Sequence, residues 1–443
     1  MKFNTEILVQ VTHLLLSDWQ AQGLDLQQMD AKEMERQVQS GLQEVGRRLM
    51  QGLWEAKDAQ YHAKGVTCEH PECQGSPMKR ISRREVQVIS IWGPVKYRRG
   101  EYVCPRQHRK AALDAQQGLH PGQPTPYLEM LLGMSGAVMP FEQGAGWVKS
   151  WLQVEVSPNT IRRATHTVGA RQQAEEQAWY EESQSQEAQR QRAEALTEPP
   201  QRVYASLDGG FVPMRKGQNG EEDWREAKMV AWYQEGVPYR EKERRVRHVK
   251  LYGTLEDKEG FGELFWASGY RYGADLAQEL IVVADGAAWL WDLVQTYFPQ
   301  AVQILDWTHA VEYLHAIRRA WDPQDEAAGE QWLADNKTLL WEGEVERVIA
   351  HCRLLAAEHG PAAQAAATAA GYFQRHAQRM DYAHFRAQGY FIGSGTIESG
   401  VKRLMAARMK IAGARWNRDS GELVLKARCA FLNRSWHLLP LAA

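Results

Sequence analysis

The sequence predicts a multidomain α/β protein, and three features of the 443-residue chain support that fold class. Short β-branched and aromatic runs alternate with helical patterns between residues 201 and 310, as in a sheet covered by helices. The next stretch, 311–390, has helical spacing throughout and is rich in alanine. Upstream, at 61–115, cysteines accompany an alternating strand pattern. We therefore expect an α/β core with an all-helical insertion, preceded by smaller modules.

The composition is ordinary for a soluble globular protein, with 44% hydrophobic and 24% charged residues. No run of about 18 apolar residues predicts a membrane span, and no signal-peptide pattern is seen. Five cysteines are too few for a disulfide framework, which favours the cytoplasm. Net charge is −2, yet residues 79–110 carry ten basic against two acidic side chains, and 399–434 nine against two. Such clusters can bind a polyanion such as DNA, although solvated faces would look the same.

Residues 1–60 are predicted to form an N-terminal helical region. Apolar residues recur there at helix spacing, at Leu42, Val45, Leu49 and Leu53. Proline is absent from this stretch and glycine is sparse.

Residues 61–115 are predicted to form a zinc-ribbon-like module. Strands are expected at 86–88 and 95–97, joined by a turn at 92–94. Zn²⁺ prefers four tetrahedral sulfur and nitrogen ligands, and a hairpin can bring two ligand pairs together. Those two pairs are Cys68, Cys73, Cys104 and His108. His70 competes with His108 as the fourth ligand, and unrelated buried cysteines are the alternative to a metal site.

Residues 116–200 are predicted to hold a helix-turn-helix and a connecting helix, with the boundary at Pro199-Pro200. Ser157 would cap the second helix and Pro158 would be its first residue. Side chains of that helix are expected to contact DNA bases and phosphates: Thr160, Arg162, Arg163 and Thr165. Any helical hairpin of an α-rich domain would give the same pattern.

Three acidic residues follow distinctive local patterns. Asp208 ends the apolar run 203–207, Asp285 ends the run 280–284, and Glu398 lies in a glycine-rich segment before a basic helical stretch. Carboxylates at strand tips face the cleft where open α/β sheets hold their chemistry. Three that converge would repel one another unless divalent cations lay between them, so a Mg²⁺ site is predicted. Taken singly, each has an ordinary alternative as a turn, a helix cap or a helix N-terminal carboxylate.

Five segments, taken in order, resemble the DDE transposases of bacterial insertion sequences, most closely the ISKra-type family. Their sequences are SLDGGFVP at 206–213, WREAK at 224–228, VADGA at 283–287, ILDWTHA at 304–310 and GTIESG at 395–400. The resemblance implies an RNase H-like core formed by 201–310 and 391–443, with the helical insertion 311–390 between them. It implies that Asp208, Asp285 and Glu398 hold two Mg²⁺ ions, with His309 in an Asp-x-x-His signature beside them. The basic residues after Glu398 would hold DNA phosphates, with plain exposure as the alternative: Lys402, Arg403, Arg408 and Lys410.

The expected function is therefore a transposase that binds element ends and catalyses metal-dependent strand cleavage and strand transfer on DNA. A homodimer or larger assembly is expected because two DNA ends must be brought together. Two other functions stay open at this point. One is an RNase H-like nuclease that does not join strands, and the other is a non-catalytic DNA-binding regulator built from the zinc and helix-turn-helix modules.

Overall fold

The computed structural model describes residues 28–195, 198–216, 224–240, 243–358, 360–393 and 395–435, with isolated positions between 9 and 23. They fall into two compact units, one ending at Ala164 and the other beginning at Thr165. Each unit contains one β-sheet together with helices, which confirms a mixed α/β protein. Over the described residues, no helix combines the length and the apolar character that a membrane crossing requires.

The first unit is built on an antiparallel sheet with strand order β1-β2-β3-β4. Its elements in chain order are α1 (Ala31–Lys64), β1 (Val66–Thr67), β2 (Pro77–Ser90), β3 (Gly93–Val103), β4 (Arg109–Lys110), α2 (Ala112–Gln117), α3 (Pro126–Val138), α4 (Phe141–Leu152) and the start of α5 (Pro158–Ser183). The long helix α1 is capped by Asp30, whose side chain accepts a hydrogen bond from the Glu33 N–H.

Helix α1 packs against the β2–β3 hairpin. Trp54 lies 5.1 Å from the ring of Tyr97, and the Asp58 carboxylate accepts a hydrogen bond from the Gly100 N–H at 2.9 Å. The hairpin turns through the two residues between Ser90 and Gly93, and Gly93 has a φ of 92° that favours glycine. Both predicted strands lie inside this hairpin, which is much longer than the predicted segments.

The predicted helix-turn-helix segment contains two helices joined by a short turn. α4 ends at Leu152, and Gln153 then adopts a left-handed conformation that turns the chain. The Ser157 hydroxyl accepts a hydrogen bond from the Thr160 N–H at 3.1 Å, which confirms Ser157 as the cap of α5. These helices share an apolar core with α3: Leu128, Leu132, Val148, Val154, Ile161 and Ala164.

The second unit is built on a five-stranded mixed sheet with strand order β7-β6-β5-β8-β9. Its elements are the rest of α5, α6 (Gln186–Ala195), β5 (Arg202–Pro213), β6 (Trp224–Arg240), β7 (Glu243–Thr254), α7 (Lys258–Tyr272), β8 (Glu279–Ala284), α8 (Ala288–Tyr297) and β9 (Val302–Leu305). β5, β6 and β7 pair antiparallel, whereas β5, β8 and β9 pair parallel. Strands alternate with helices in this part of the chain, as its β-branched and aromatic runs predict.

A helical block follows β9, as the alanine-rich sequence predicts. It comprises α9 (Trp307–Arg319), α10 (Glu326–Trp341), α11 (Val345–Ala357), α12 (Ala363–His376) and α13 (Tyr382–Ala387). The chain then returns to the sheet through α14 (Gly395–Val401), a π-helical turn (Lys402–Ala406), α15 (Ala407–Met409) and α16 (Arg418–Leu432). α14 packs against β5 and β6, while α16 packs against β7.

Candidate functional site

Four side chains of the first unit converge beside the β2–β3 hairpin: Cys68, Cys73, Cys104 and His108. Their ligand atoms all lie within 4.8 Å of one another. The Sγ atoms of Cys73 and Cys104 are 3.8 Å apart, and His108 Nδ1 lies 3.2 Å from Cys73 Sγ. The same nitrogen is 3.5 Å from Cys104 Sγ and 3.7 Å from Cys68 Sγ.

These spacings fit a tetrahedral zinc ion. With Zn–S bonds of about 2.3 Å and a Zn–N bond of about 2.0 Å, two sulfurs at tetrahedral angles are about 3.8 Å apart. Sulfur and nitrogen are then separated by about 3.5 Å. The observed distances of 3.8 Å between sulfurs and 3.2, 3.5 and 3.7 Å to nitrogen scatter around those values. This Cys₃His set can therefore hold a metal ion such as zinc.

The pKa values of two of the thiols are shifted in opposite directions. Burial, reinforced by the neighbouring Cys68 and Cys104, raises the pKa of Cys73 to about 12, so this thiol holds its proton when no ion is present. Burial acts to raise the pKa of Cys104. Hydrogen bonds from the backbone of His108 and Arg106, together with those of the Cys73 and Cys68 side chains, outweigh it, so that pKa is lowered. N–H groups aimed at sulfur are the support that a metal-bound thiolate needs.

His70, the other predicted choice for the fourth ligand, lies outside the Cys₃His set. Its ring stacks on that of His108 with centroids 4.1 Å apart, and its Nδ1 lies 3.5 Å from a carboxylate oxygen of Glu72. The side chain is 46% exposed. His70 is thus placed to hold the orientation of the His108 ring.

In the second unit, two of the predicted acids follow paired residues of neighbouring parallel strands. Leu207 of β5 is in register with Ala284 of β8, so Asp208 and Asp285 come next, side by side. Strands in a sheet lie about 4.8 Å apart. Both side chains are half-buried, and each has one oxygen bonded to nearby backbone. Asp208 Oδ1 accepts from the Gly209 N–H at 2.7 Å, and Asp285 Oδ1 accepts from the Ala287 N–H at 2.8 Å.

The next strand brings the Asp-x-x-His segment to the same sheet edge. Ala284 is in register with Leu305, after which the fully buried Asp306 caps α9 by accepting from the His309 N–H at 2.8 Å. Trp307 donates its N–H to the Ile392 carbonyl at 2.9 Å. That bond ties the segment just before α14, which carries Glu398, to the end of β9.

The Asp208 carboxyl is influenced by the charges of the two other predicted acids and of His309. Burial is the main cause that raises the pKa of Asp208 to about 6, and the carboxylates of Asp285 and Glu398 raise it further. His309 acts in the opposite direction. Among the described residues, only the Cys₃His set is close enough to hold a single ion. In this conformation the three carboxylates are therefore neighbours without forming such a cluster.

The helical block contributes residues that the sequence reasoning did not single out. Gly286 follows Asp285 directly, and a Cβ there would lie 2.2 Å from the Tyr372 ring of α12. His376, one turn further on, is buried; its pKa is lowered to about 4, mainly by that burial, while Gly286 and Asp285 act to raise it. The sequence signal for this contact was the Asp285-Gly286 dipeptide, because only glycine leaves room for an aromatic ring at that position.

Glu226, in the WREAK segment, is a further acid beside β5. A Cβ on Gly209 would lie 2.5 Å from Glu226 Oε1, so this carboxylate reaches the residue next to Asp208. Lys228 lies 3.4 Å from the other oxygen of Glu226. The motif was noted in the sequence, but its glutamate could be placed only once the pairing of Gly209 with Lys228 was known.

The predicted DNA-contacting residues differ in exposure. Lys402, Arg403 and Lys410 are exposed, and so are Arg162 and Arg163 of α5, with Thr160 half-buried. Arg162 also bonds Asn159 through two nitrogens at 2.7 and 3.0 Å. Two predicted contacts are placed otherwise: Arg408 is 2% exposed with its guanidinium 5.0 Å from the Trp416 ring centroid, and Thr165 is fully buried.

Neither a family model nor a curated protein matches this chain. Among solved structures, it is similar to one titled "Drosophila P element transposase strand transfer complex". The two share 8% sequence identity, the match covers 74% of this chain and 96% of that chain, and the TM-score is 0.33. A TM-score of this size lies below the level of chains that share a fold, so the function has to be argued from the residues themselves.

Proposed function

We propose that this chain is a DNA transposase whose acidic site cuts phosphodiester bonds and joins the resulting ends to new DNA. The observation that carries the proposal is the register of β5 with β8, which puts Asp208 beside Asp285 at one sheet edge. The influence of Glu398 on the Asp208 carboxyl supports it as the third member. These are the three acids that the resemblance to DDE transposases selects.

The strand arrangement supports an RNase H-like core. Three antiparallel strands lead into two parallel ones, and Asp208 lies on the middle strand, where the two halves of the sheet meet. Ligand sites of open α/β sheets lie at such a switch in strand order, outside the carboxyl ends of the strands. The helical block between β9 and α14 agrees with the insertion that the resemblance implies before the glutamate.

The three carboxylates fit hard divalent cations, because Mg²⁺ is held by oxygen ligands and one or two carboxylates suffice alongside substrate phosphate. Asp208 would contribute to both metal positions, with Asp285 and Glu398 each completing one. When bound, two such ions polarise the scissile phosphate and activate water or a 3′-hydroxyl for in-line displacement. The three carboxylates do not form a single-ion cluster in this conformation, so they would draw together when the ions bind.

The surrounding residues have separate roles in this proposal. His309 lies close enough to Asp208 to oppose its raised pKa, which makes it a positioning or proton-holding group at the site. Lys402, Arg403 and Lys410 are exposed just after Glu398 and would hold DNA phosphates. Arg408 and Thr165 are left out of the DNA-contacting set because both side chains are buried.

The first unit would bind the element ends. Its β2 and β3 strands carry most of the basic residues of 79–110, and α5 presents Thr160, Arg162 and Arg163 at its N-terminal end. Zinc bound to the Cys₃His set would hold the ends of the hairpin together and so contribute directly to the folding free energy of the unit. In this proposal zinc is structural and takes no part in the chemistry.

The decisive experiment incubates the zinc-loaded full chain with candidate element ends and Mg²⁺. We expect cleavage with intact ends and strand-transfer products with pre-cut 3′-hydroxyl ends. Asp285→Asn should abolish both while leaving DNA binding intact. The matched control is Asp292→Asn on α8, an exposed carboxylate that pairs with Lys258 at 3.0 Å.

The outcomes separate the alternatives. Cleavage without strand transfer would favour an RNase H-like nuclease. A non-catalytic regulator would be favoured if Asp285→Asn left activity unchanged. It would also be favoured if the unaltered chain bound specific ends without cleaving them.

A further inference from the structure

The helical block reaches the acidic site at the peptide that follows Asp285. A Cβ on Gly286 would lie 2.2 Å from Tyr372 Cε2 and 2.4 Å from the Tyr372 hydroxyl oxygen, so the ring lies directly against this backbone. His376 comes one turn further along α12, and the centroids of the two rings are 4.8 Å apart. Both side chains are only 5% exposed. Two buried polar side chains of one helix thus meet beside the residue that follows a predicted metal ligand.

The backbone of Gly286 offers a hydrogen-bond partner to each of these side chains. Burial raises the pKa of Tyr372, and a hydrogen bond with the Gly286 backbone acts to lower it, as an N–H that donates to the phenol oxygen does. Burial lowers the pKa of His376 to about 4, and a hydrogen bond with the same backbone acts to raise it, as a carbonyl that accepts from the ring does. Gly286 is therefore held on both sides of its Cα, at its N–H by a hydroxyl and at its carbonyl by an imidazole.

Arg379 determines which nitrogen of His376 carries the proton. Arg379 Nη1 lies 3.5 Å from His376 Nδ1, and a guanidinium can donate a hydrogen bond but cannot accept one. Because burial keeps the ring neutral at pH 7, Nδ1 is the acceptor and the single proton is on Nε2. Nε2 is thus the donor to the Gly286 carbonyl. Arg379 is itself held in place, since its guanidinium lies 4.6 Å from the centroid of the Trp291 ring and its Nε donates to Gln303 at 2.8 Å.

A second tyrosine fixes the ring of Tyr372. Tyr313 of α9 stacks on it, with ring centroids 3.9 Å apart and ring planes 18° from parallel. The Tyr372 hydroxyl is therefore positioned by two helices, α9 and α12, and its ring has little freedom to turn away from Gly286.

The direction of the Asp285 carboxylate depends on the peptide that these side chains hold. Asp285 Oδ1 accepts from the Ala287 N–H at 2.8 Å, so the carboxylate closes a turn whose central residue is Gly286. Glycine restricts its own backbone less than any other residue, so the restraint on this turn has to come from its neighbours. The charge of Asp285 also acts to raise the pKa of both Tyr372 and His376, as a nearby carboxylate does.

We propose that Tyr372 and His376 are positioning residues of the acidic site, which hold the Gly286 backbone so that the Asp285 carboxylate stays directed at the cations it would bind. The inference rests on the proposed function, because it takes Asp285 as a ligand to those cations. It gives the helical block a part in metal binding, although the block supplies none of the three carboxylates.

Binding of Mn²⁺, used as a probe for the Mg²⁺ position, tests this role without any reaction. The zinc-loaded full chain is titrated with Mn²⁺, and electron paramagnetic resonance measures the free ion. The part of the binding that Asp285→Asn removes belongs to the acidic site. We expect Tyr372→Phe and His376→Leu each to weaken that part about tenfold or more, as changes to residues behind a metal ligand do. His376→Gln should keep most of the affinity, because its amide nitrogen can replace Nε2 as the donor.

Hydrogen exchange measures the contact with the backbone directly. In Tyr372→Phe the Gly286 N–H loses its acceptor, so a peptide that covers residues 284–288 should exchange faster than in the unaltered chain, without Mn²⁺ as well as with it. The matched control is Tyr270→Phe, because Tyr270 is a buried tyrosine of the same unit whose hydroxyl instead lies 3.1 Å from a carboxylate oxygen of Glu182. The control should change neither this exchange nor the Mn²⁺ affinity. Circular dichroism and zinc content check that the variants fold.

The results that would overturn the inference differ from one another. If Asp285-dependent Mn²⁺ binding is as tight in Tyr372→Phe and His376→Leu as in the control, the two side chains only pack, and the proposed function still stands. If Tyr270→Phe weakens binding as much as they do, the losses reflect stability and not position. If Asp285→Asn leaves Mn²⁺ binding unchanged, Asp285 is not a ligand, and the metal site of the proposed function fails together with the inference.

Discussion

Replacing His108 by alanine should release zinc, whereas replacing His70 should not. His108 Nδ1 lies 3.2 to 3.7 Å from the three sulfurs, as a ligand to a shared ion must, while His70 only stacks on the His108 ring. Residues that orient a ligand cost about 10 to 100-fold in metal affinity when they are changed. We therefore expect His70→Ala to bind zinc within that range of the unaltered chain and His108→Ala to lose more than about 100-fold.

Competition against a chromophoric chelator measures these affinities, and the absorption of the Co²⁺-substituted protein reports the number of thiolate ligands. The unaltered chain should contain one zinc, and its affinity should fall with falling pH because the thiols must lose their protons. The residues packed around the site, among them Val66, Met78 and Tyr102, should lose protection from hydrogen exchange in His108→Ala. Equal losses in the two variants, or a zinc-free chain purified without chelator, would refute the assignment of His108 as the fourth ligand.

Other outcomes follow from single contacts. Without Mg²⁺, Asp208→Asn should raise Tm at pH 8 and have no such effect at pH 4. Because the pKa of Asp208 is raised to about 6, its protonated form favours the folded state at low pH, and that stability is lost as the pH rises through 6. Gly286→Ala should lower the free energy of unfolding by about 1 to 3 kcal/mol in chemical denaturation, because the new Cβ would clash with the Tyr372 ring. Gly146→Ala should instead stabilise α4 by about 0.5 to 1 kcal/mol, because the space around Gly146 is open. If Lys402 and Arg403 contact phosphates, changing both to alanine should reduce the salt dependence of DNA binding, measured as log K against log salt, by about 1.8; an unchanged slope would remove them from the interface.

The strands of the second unit could be predicted because each contains a run of apolar residues that includes β-branched or aromatic side chains. The order in which they pair could not be predicted from these runs alone. β5 lies between β6 and β8, so it pairs antiparallel on one side and parallel on the other. That choice depends on how the hairpin and the crossover helix α7 pack, which no local pattern records.

Helix α1 shows a different limit of sequence patterns. The apolar spacing of Leu42, Leu49 and Leu53 correctly predicts a helix, but those side chains are exposed. The buried residues of α1 include Gly41 and Gly46 instead, and a Cβ on Gly46 would lie 2.3 Å from the Trp92 ring. A helix that packs closely on a hairpin selects small residues there, so its most hydrophobic stripe need not mark the core of its own chain.

Arg408 shows that a charged residue in a basic stretch can be buried. It belongs to the basic stretch that follows Glu398, yet it is buried against Trp416, and that burial lowers its pKa to about 10. A count of basic residues does not distinguish an arginine that is buried against an aromatic ring from one that is exposed and able to bind phosphate. Both kinds occur in the same helical stretch. The neighbouring Lys402, Arg403 and Lys410 are exposed, so the basic surface is narrower than the sequence indicates.

The acidic site depends on both local pattern and pairing. Asp285 follows the last residue of β8, but Asp208 lies within β5, so the prediction that both acids end a strand is wrong for Asp208. The two acids become neighbours only because Leu207 pairs with Ala284. A shift of one residue in that register would turn alternate side chains to the other face of the sheet and separate the two carboxylates. Since the raised pKa of Asp208 reflects unrelieved burial and repulsion, the fold bears a cost at this edge that a bound cation would remove. Such a cost, where the parallel pairing of β5 with β8 ends, is a physical reason to expect function at this site. Charged residues of the same unit that are paired in salt bridges give no such reason.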